Sequence, residues 1–465
     1  MFRIGNHFVS KSVVALLGLE FLILLGAAYA GADFRFDHAY LSTVKAENYG
    51  LSALVFASVM SFSMTAMGMY QGSLRDGLRN TLLRLMPSCL LAFCLMALLF
   101  YLIPSLYFGR GIFGLAFLCA AIGILIARTV FFESSRSNFL RSRIMFLGAG
   151  KIARDCHELA EDRSFVQKYN IVGYLSTDGD CGAMGAAAMI PRLGDSLYTT
   201  AERYHVAEIV VSAENRRDGA IPIKELLDCK MKGIKVTDAT ALFERETCQI
   251  RIDTLQPSWL VFGNGFDQSF VRLFSKRSVD LFMSTLLLVL TLPIMLLTAL
   301  WIVLEDRGPV FYQQERVGKG GKTFMVLKFR SMKTDAENGG VPQWASGNDP
   351  RVTRVGRFIR LCRIDELPQI INVLNGEMSF VGPRPERPYF VDQLIQQVPY
   401  YNIRHSIKPG ITGMAQVRYR YGASVDDAIQ KLQYDLYYVK NNSLFLDALI
   451  LIDTLQVVLF ARGAR

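Results

Sequence analysis

The run VDLFMSTLLLVLTLPIMLLTALWIVL, Val279 to Leu304, decides how this chain is built. It exceeds the roughly 20 apolar residues a membrane-spanning helix needs. Pro293 stands near its middle, with no amide hydrogen to donate and a ring that clashes with the preceding turn, so a kink or break is expected there. Lys276 and Arg277 precede the run and Asp306 and Arg307 follow it, which suits a segment with both ends among lipid headgroups. A helix that enters the membrane, bends at Pro293 and returns is one reading. An ordinary crossing with a tolerated proline is the other, and the residues alone leave the two close.

Upstream lie four more apolar segments, near Val13–Ala30, Leu51–Tyr70, Leu82–Ile103 and Ile112–Phe132, each approaching the spanning length. The first lacks a small-residue cleavage pattern and reads as an uncleaved anchor. Glu20 inside it is costly in hydrocarbon unless it meets a neighbouring helix. Arg3 and Lys11 precede the first segment, Arg75, Arg79 and Arg84 lie around the second and third, and Arg128, Arg136, Arg141 and Arg143 follow or close the fourth. The loop holding Asp33, Asp37 and Glu47 is acidic, so the cation bias places both ends of this bundle in the cytoplasm.

Beyond the bundle, Arg143–Leu147 reads as a buried strand leading into Gly148-Ala149-Gly150-Lys151-Ile152-Ala153, a G-x-G-x-x-A turn, and then a helix. Further strands at Ile171–Leu175, Glu208–Ser212 and Ile234–Val236, with a helix at Ile223–Lys232, give a small Rossmann-like parallel α/β sheet. Gly148 and Gly150 could offer amides to a phosphate. The acid that would hold an NAD ribose is poorly placed, since Asp178 comes late. A structural or regulatory module is therefore favoured over bound NAD. Three parts result: a four-helix transmembrane bundle over 1–135, the α/β domain over 136–262, and a mostly helical domain over 263–465 with the Pro293 helix.

Half of the 465 residues are apolar and a fifth are charged, with a formal net charge of +10. That charge suits anionic headgroups and phosphate-bearing substrates. Nucleic acid would attract it equally, but no basic tail or nucleic-acid motif accompanies it. Eight cysteines are scattered without C-x-x-C spacing, as expected of reduced, structural thiols. Leu361 and Cys362 are expected to pack as part of an apolar face.

The chemistry gathers around Asp365-Glu366, two carboxylates among many arginines. Cations neutralise phosphate oxygens while a carboxylate can attack phosphorus or hold a metal, so the setting suits work on a diphosphate. Neighbouring helical residues would point about 100° apart, which divides the two acids between different tasks. Lys328, Arg330, Arg351, Arg354, Arg384 and Arg387 are the candidate phosphate grips. Arg384 is foremost, because Pro383 and Pro385 restrict its backbone. His405 reads as a core histidine. The stretch Val425–Phe460, rich in tyrosine and leucine, suits amphipathic helices at the membrane interface or packing on the core.

Several blocks occur in one order: Lys276-Arg277-Ser278-Val279-Asp280-Leu281, Gly308-Pro309-Val310-Phe311, Lys328-Phe329-Arg330-Ser331-Met332, Asn348-Asp349-Pro350-Arg351, Asp365-Glu366-Leu367-Pro368-Gln369, Val381-Gly382-Pro383-Arg384-Pro385-Glu386 and Lys408-Pro409-Gly410-Ile411-Thr412-Gly413. With them, the segment from about Ser275 to Arg465 resembles the bacterial sugar transferases, the large monotopic phosphoglycosyl transferases that begin exopolysaccharide synthesis. Tyr419–Ser424 and Tyr434–Tyr438 look most like the subgroup accompanying exosortase-type export. The resemblance implies transfer of a sugar 1-phosphate from a UDP-sugar, glucose or galactose foremost, to polyprenyl (undecaprenyl) phosphate, releasing UMP. It implies Asp365 as a nucleophile forming a phosphosugar ester, and Glu366 as a ligand for Mg²⁺. It further implies a re-entrant helix, a place on the cytoplasmic face of the bacterial inner membrane, and downstream glycosyltransferases. Relatives carry Ser-Pro at the helix break where this chain has Leu292-Pro293. A homodimer is expected. A membrane-tethered NAD-dependent nucleotide-sugar enzyme and a non-catalytic export scaffold are the competing functions.

Overall fold

The computed structural model describes residues 2–34, 46–70, 78–107, 109–136, 141–161, 169–177, 185, 188–191, 196–213, 221–253, 255, 265–333, 351–419, 422 and 424–459. The chain divides into two compact units, Met1–Phe2 with Val9–Thr247, and Arg3–Phe8 with Cys248–Arg465. The short hairpin of β1 (Phe2–Ile4) and β2 (His7–Val9) thus belongs mainly to the second unit.

In the first unit the four apolar segments form α1 (Lys11–Asp33), α2 (Ala46–Ala66), α3 (Leu78–Leu102) and α4 (Arg110–Arg136). They share one core containing Leu24, Phe56, Met60, Met96, Phe113 and Ile124, while Leu22, Leu90 and Ile126 face outward. Each helix is long and apolar enough to cross a membrane. A charge among such helices needs a partner, because hydrocarbon offers none. Glu20 of α1 has one in Arg128 of α4, with Nε 2.6 Å from Oε1, and Tyr70 donates its hydroxyl to the other oxygen. Arg128 also donates to the Met69 carbonyl at 3.0 Å, so the expected contact for Glu20 is a fully bonded structural clamp.

The α/β part of this unit matches its sequence pattern with boundaries moved by a residue or two. β3 (Ser142–Leu147), β4 (Tyr169–Leu175), β5 (Glu208–Val211) and β6 (Lys235–Asp238) form a parallel sheet in the order β4-β3-β5-β6. The connecting helices include α5 (Lys151–Glu161), α6 (Leu197–Arg203), α7 (Ile223–Met231) and α8 (Ala239–Thr247). Val and Ile dominate β5 because both faces of a parallel sheet are covered.

The longest helix of the second unit is α9 (Phe270–Asp306), 37 residues in one helix with Pro293 inside it. No break occurs at Pro293. The Thr291 hydroxyl donates to the Leu287 carbonyl at 2.7 Å, one turn back, while the carbonyl that Pro293 leaves without its amide partner is that of Val289. At 1.5 Å per residue the helix is about 55 Å long. Its two ends are held by the same unit. Near the start, Arg272 pairs with Asp447 at 2.9 Å, Arg277 donates to the Val373 and Leu374 carbonyls, and Asp280 accepts from Ser379 and the Phe380 amide. Near the finish, Asp306 pairs with Arg330, Trp301 packs on Phe358, and Met295 and Ile302 join Phe329, Val355 and Ile359 in one cluster.

Around α9 lie the antiparallel hairpin β7 (Phe311–Val317) and β8 (Thr323–Phe329), then α10 (Arg354–Leu361), a 3₁₀ turn (Ile364–Glu366) and α11 (Gln369–Asn375). β9 (Ser379–Val381) pairs in parallel with β10 (Gly410–Thr412), flanking α12 (Pro388–Gln397) and a 3₁₀ segment (Tyr401–Ser406). α13 (Met414–Arg418), α14 (Val425–Asn441) and α15 (Leu444–Leu459) close the unit. Tyr437 and Tyr438 of α14 are buried in its main core with Leu432 and Leu436, and His7 meets the Tyr437 hydroxyl at 2.8 Å. Those two tyrosines therefore pack on the core instead of reaching headgroups. Their hydroxyls find partners inside, His7 for one and Asp447 for the other.

Candidate active site

Three local devices present Asp365 and Glu366. First, α10 is capped twice: the Thr353 hydroxyl accepts the Gly356 amide at 2.8 Å, and Glu305 of α9 accepts the Arg354 amide at 2.9 Å. Gly356 lies against β8's exit, where an added Cβ would sit 2.0 Å from the Ser331 carbonyl oxygen. Second, Arg363 takes a left-handed conformation (φ 58°, ψ 19°), which stops α10 and turns the chain sharply into the 3₁₀ segment. Third, α11 is pinned to β8 by buried Asn372, which accepts from the Leu327 amide at 3.0 Å and donates to the Met325 carbonyl at 2.8 Å. The acids thus sit on a 3₁₀ turn, about 120° apart around its axis, not on the α-helix the sequence suggested.

Glu366 is the hub of the site. Its Oε1 lies 3.1 Å from Lys328 Nζ on β8 and 3.1 Å from Arg384 Nη2, and Arg363 stands 3.9 Å from Oε2. Burial alone would raise its pKa, but Lys328, Arg384 and Arg363 outweigh burial and hold the carboxyl far below the usual range. Burial also lowers the Lys328 pKa, opposed by Glu366 and reinforced by Arg384 and Arg316. Asp365 differs in kind. Burial, then the charge of Glu366, raises its pKa, and its Oδ1 is buried without a hydrogen-bond partner. An unbonded, poorly solvated carboxylate oxygen beside three cations is equipped to attack an electron-poor centre.

The loop carrying Arg384 is gripped at four successive carbonyls. Pro383 accepts from the Gly410 amide (3.0 Å), Arg384 from Arg404 Nη2 (2.9 Å), Pro385 from Arg316 Nη1 (3.1 Å) and Glu386 from the Val317 amide (2.9 Å). Arg404 is buried and its charge is met by Asp435 of α14 at 2.8 Å. Burial pushes the Asp435 carboxyl up to about 6 against the pull of Arg404. Arg316, Arg404 and Asp435 carry no motif of their own, and sequence reading missed them. Proline-bounded Arg384, whose carbonyls need outside donors, was the one signal that such partners exist.

The candidate grips divide. Lys328 and Arg384 converge on Glu366. Arg330 instead is a buried strut to Asp306, at the end of α9. Arg354 is exposed at the first turn of α10, and Arg387 caps α12 half-buried. Arg351 precedes the isolated bridge between Met332 and Val352, and Asn348, Asp349 and Pro350 fall outside the described residues. His405 is buried against Tyr401, and burial with Arg404 lowers its pKa to about 4, in keeping with a neutral core histidine. Leu361 and Cys362, expected in an apolar face, are exposed, because α10 turns Val355 and Ile359 inward instead.

In the first unit, Gly148 and Gly150 do form the β3–α5 turn. The Gly148 amide is taken by the Leu175 carbonyl at 2.8 Å, and Ser212 donates to the Gly148 carbonyl at 2.9 Å. Asp178 falls outside the described residues.

Residues 271–461, which hold every element of this site, match the family model described as bacterial sugar transferase. The chain is 31% identical over 366 residues to a UDP-glucose:undecaprenyl-phosphate glucose-1-phosphate transferase of Xanthomonas campestris pv. campestris, covering 77% of this chain and 75% of that one. It is 44% identical over 240 residues to a UDP-N-acetylgalactosamine-undecaprenyl-phosphate N-acetylgalactosaminephosphotransferase of Aeromonas hydrophila, covering 52% and 56% of the two chains. An undecaprenyl-phosphate glucose phosphotransferase of Komagataeibacter xylinus is 45% identical over 194 residues, 41% of this chain and 36% of that one. The match therefore spans about half or less of the Aeromonas and Komagataeibacter proteins but three quarters of the Xanthomonas protein. Similarity that runs through α/β domain and catalytic unit alike places this chain in the bacterial sugar transferase family.

Proposed function

We propose that this chain transfers a sugar 1-phosphate from a UDP-sugar to undecaprenyl phosphate. The relatives named above act on UDP-glucose and UDP-N-acetylgalactosamine, which supports a UDP-hexose without choosing the sugar. The observation that carries the reading is the contrast within the acidic pair: Glu366 charged and locked among cations, Asp365 with a buried, unbonded oxygen. In the proposed reaction Asp365 Oδ1 attacks the sugar-bearing phosphorus, the bond to the bridging oxygen breaks, and UMP leaves with that electron pair. An oxygen of undecaprenyl phosphate then attacks the same phosphorus and frees Asp365. Lys328, Arg384 and Arg363 temper the charge that gathers on the phosphoryl oxygens.

Mg²⁺ fits this site in a limited sense. Glu366 Oε1 is occupied by two cations, while Glu366 Oε2 keeps open coordination capacity, and this ion is commonly held by one or two carboxylates plus substrate phosphates. When bound it would neutralise diphosphate charge. The membrane placement follows from α9. Because one compact unit bonds both polar ends of that helix, we read it as bending at Pro293 without breaking, so that it dips into the bilayer and returns, with the site on the cytoplasmic face of the inner membrane. UMP release from UDP-glucose or UDP-N-acetylgalactosamine, with undecaprenyl phosphate and Mg²⁺, tests the function. Release of free sugar 1-phosphate without a lipid product would overturn it.

A further inference from the structure

Gly410 helps hold the Arg384 loop, whereas the side chain of Lys408 in the same block has no role in the chemistry above. Lys408 has no hydrogen-bond or ion-pair partner among the described residues. It stands beside Gly376, the left-handed residue that ends α11 (φ 85°). A Cβ built on Gly376 would lie 3.4 Å from Lys408 Nζ and 3.5 Å from Arg277 Nη2, so the two cations flank a space no more than about 7 Å across. Arg277 spends one N–H from each terminal nitrogen on the Val373 and Leu374 carbonyls and keeps its remaining donors.

Like charges this close repel unless an anion joins them. The neighbouring charges are Arg277, Lys319 and Lys276 against Asp280; Lys276 is already balanced by Asp447 at 3.1 Å, and Asp280 is engaged by Ser379 and the Phe380 amide. Burial, then Arg277, lowers the Lys408 pKa, which is the mark of a cation held without its counterion. Position says which anion is at hand. Arg277 is two residues from the start of the apolar run, and exposed Phe274 and Phe282 lie on either side of it along α9, as lipid-facing residues would. We propose that Lys408 and Arg277, on either side of Gly376, form a docking site for the phosphate of an anionic membrane phospholipid, apart from the cations that serve Glu366.

The test needs no turnover of UDP-sugar. The full-length protein in dodecyl maltoside micelles is titrated with dioctanoyl phosphatidylglycerol, and bound lipid is counted by native mass spectrometry. Lys408→Met is expected to weaken binding about five-fold, and Lys408→Arg to restore it. Lys322→Met, an exposed cation on the β7–β8 turn, is expected to leave it unchanged. Equal binding by wild type and Lys408→Met would overturn the proposal. Displacement of the lipid by an equal concentration of inorganic phosphate would also overturn it, in favour of a free-anion site. A raised KM for undecaprenyl phosphate in Lys408→Met, with phosphatidylglycerol binding intact, would assign the site to the acceptor and overturn it as well.

Discussion

Replacing Arg404 by Met removes the guanidinium that holds the Arg384 carbonyl and strands Asp435 in the core. Arg404 and Asp435 are both buried and 2.8 Å apart, and breaking such a pair from one side costs about 3–5 kcal/mol. The stranded carboxyl, already at about 6 with its partner present, would take up a proton near neutral pH and limit the loss. The melting temperature should fall by about 10 °C. Adding Asp435→Asn removes the stranded charge and should recover most of that loss. It does not restore the 2.9 Å bond to the Arg384 carbonyl. Misplacing a charged group by about 1 Å can cost about 100-fold, so both the single and the double variant should lose about two orders of magnitude in kcat/KM for UDP-sugar. The assay is UMP release alongside thermal unfolding of the same preparations. A double variant with wild-type kcat/KM would show that the grip on the Arg384 loop has no bearing on the site.

Four other outcomes follow from the structure. Because burial and Glu366 raise the Asp365 pKa, and the attacking group must be ionised, kcat should decline on the acid side at a pH above the ordinary carboxylate value near 4, as a pH–rate profile would show. A carboxyl whose folded pKa is raised adds stability below its unfolded pKa and loses it as pH rises through the folded one. Asp365→Asn should therefore melt at or above wild type at pH 7 while UMP release is abolished. Gly356→Ala should destabilise the second unit by about 1–3 kcal/mol and lower activity with it, since the Ser331 carbonyl occupies the place of the new methyl; unchanged melting would contradict the close packing of α10 on the exit of β8. Glu20→Gln leaves Arg128 uncompensated among α1–α4 and should cut the yield of folded protein in membranes, an effect that Arg128→Met in the same chain should relieve.

Much of this fold is written in local patterns. The apolar runs, the alternation of strands and helices after Ser142, and the parallel sheet are all periodic signals that neighbouring residues carry together. The acidic pair was legible through its cationic surroundings, and Lys328 and Arg384, named as phosphate grips, both meet Glu366. What local pattern cannot show is which of several similar cations reaches the site. Lys328 and Arg330 are two residues apart in one block, yet one meets Glu366 and the other Asp306, a choice set by where α9 ends. Pairings across long sequence separations were equally hidden, among them Arg404 with Asp435 and His7 with Tyr437. Of the kink or break expected at Pro293, an outright break is absent, since one helix runs from Phe270 to Asp306. The left-handed turn at Arg363 that sets the acids in place was equally hidden, because nothing in the local pattern marks it.

The claim on which the account rests is that Asp365 becomes esterified by the phosphosugar during turnover. Incubating the full-length protein with UDP-sugar in the absence of undecaprenyl phosphate, quenching in acid and mapping the peptides by mass spectrometry tests it directly. The account predicts a hexose-phosphate mass increment on the peptide bearing Asp365 and none in Asp365→Asn. An unmodified Asp365 peptide from protein that releases UMP under the same conditions would contradict it.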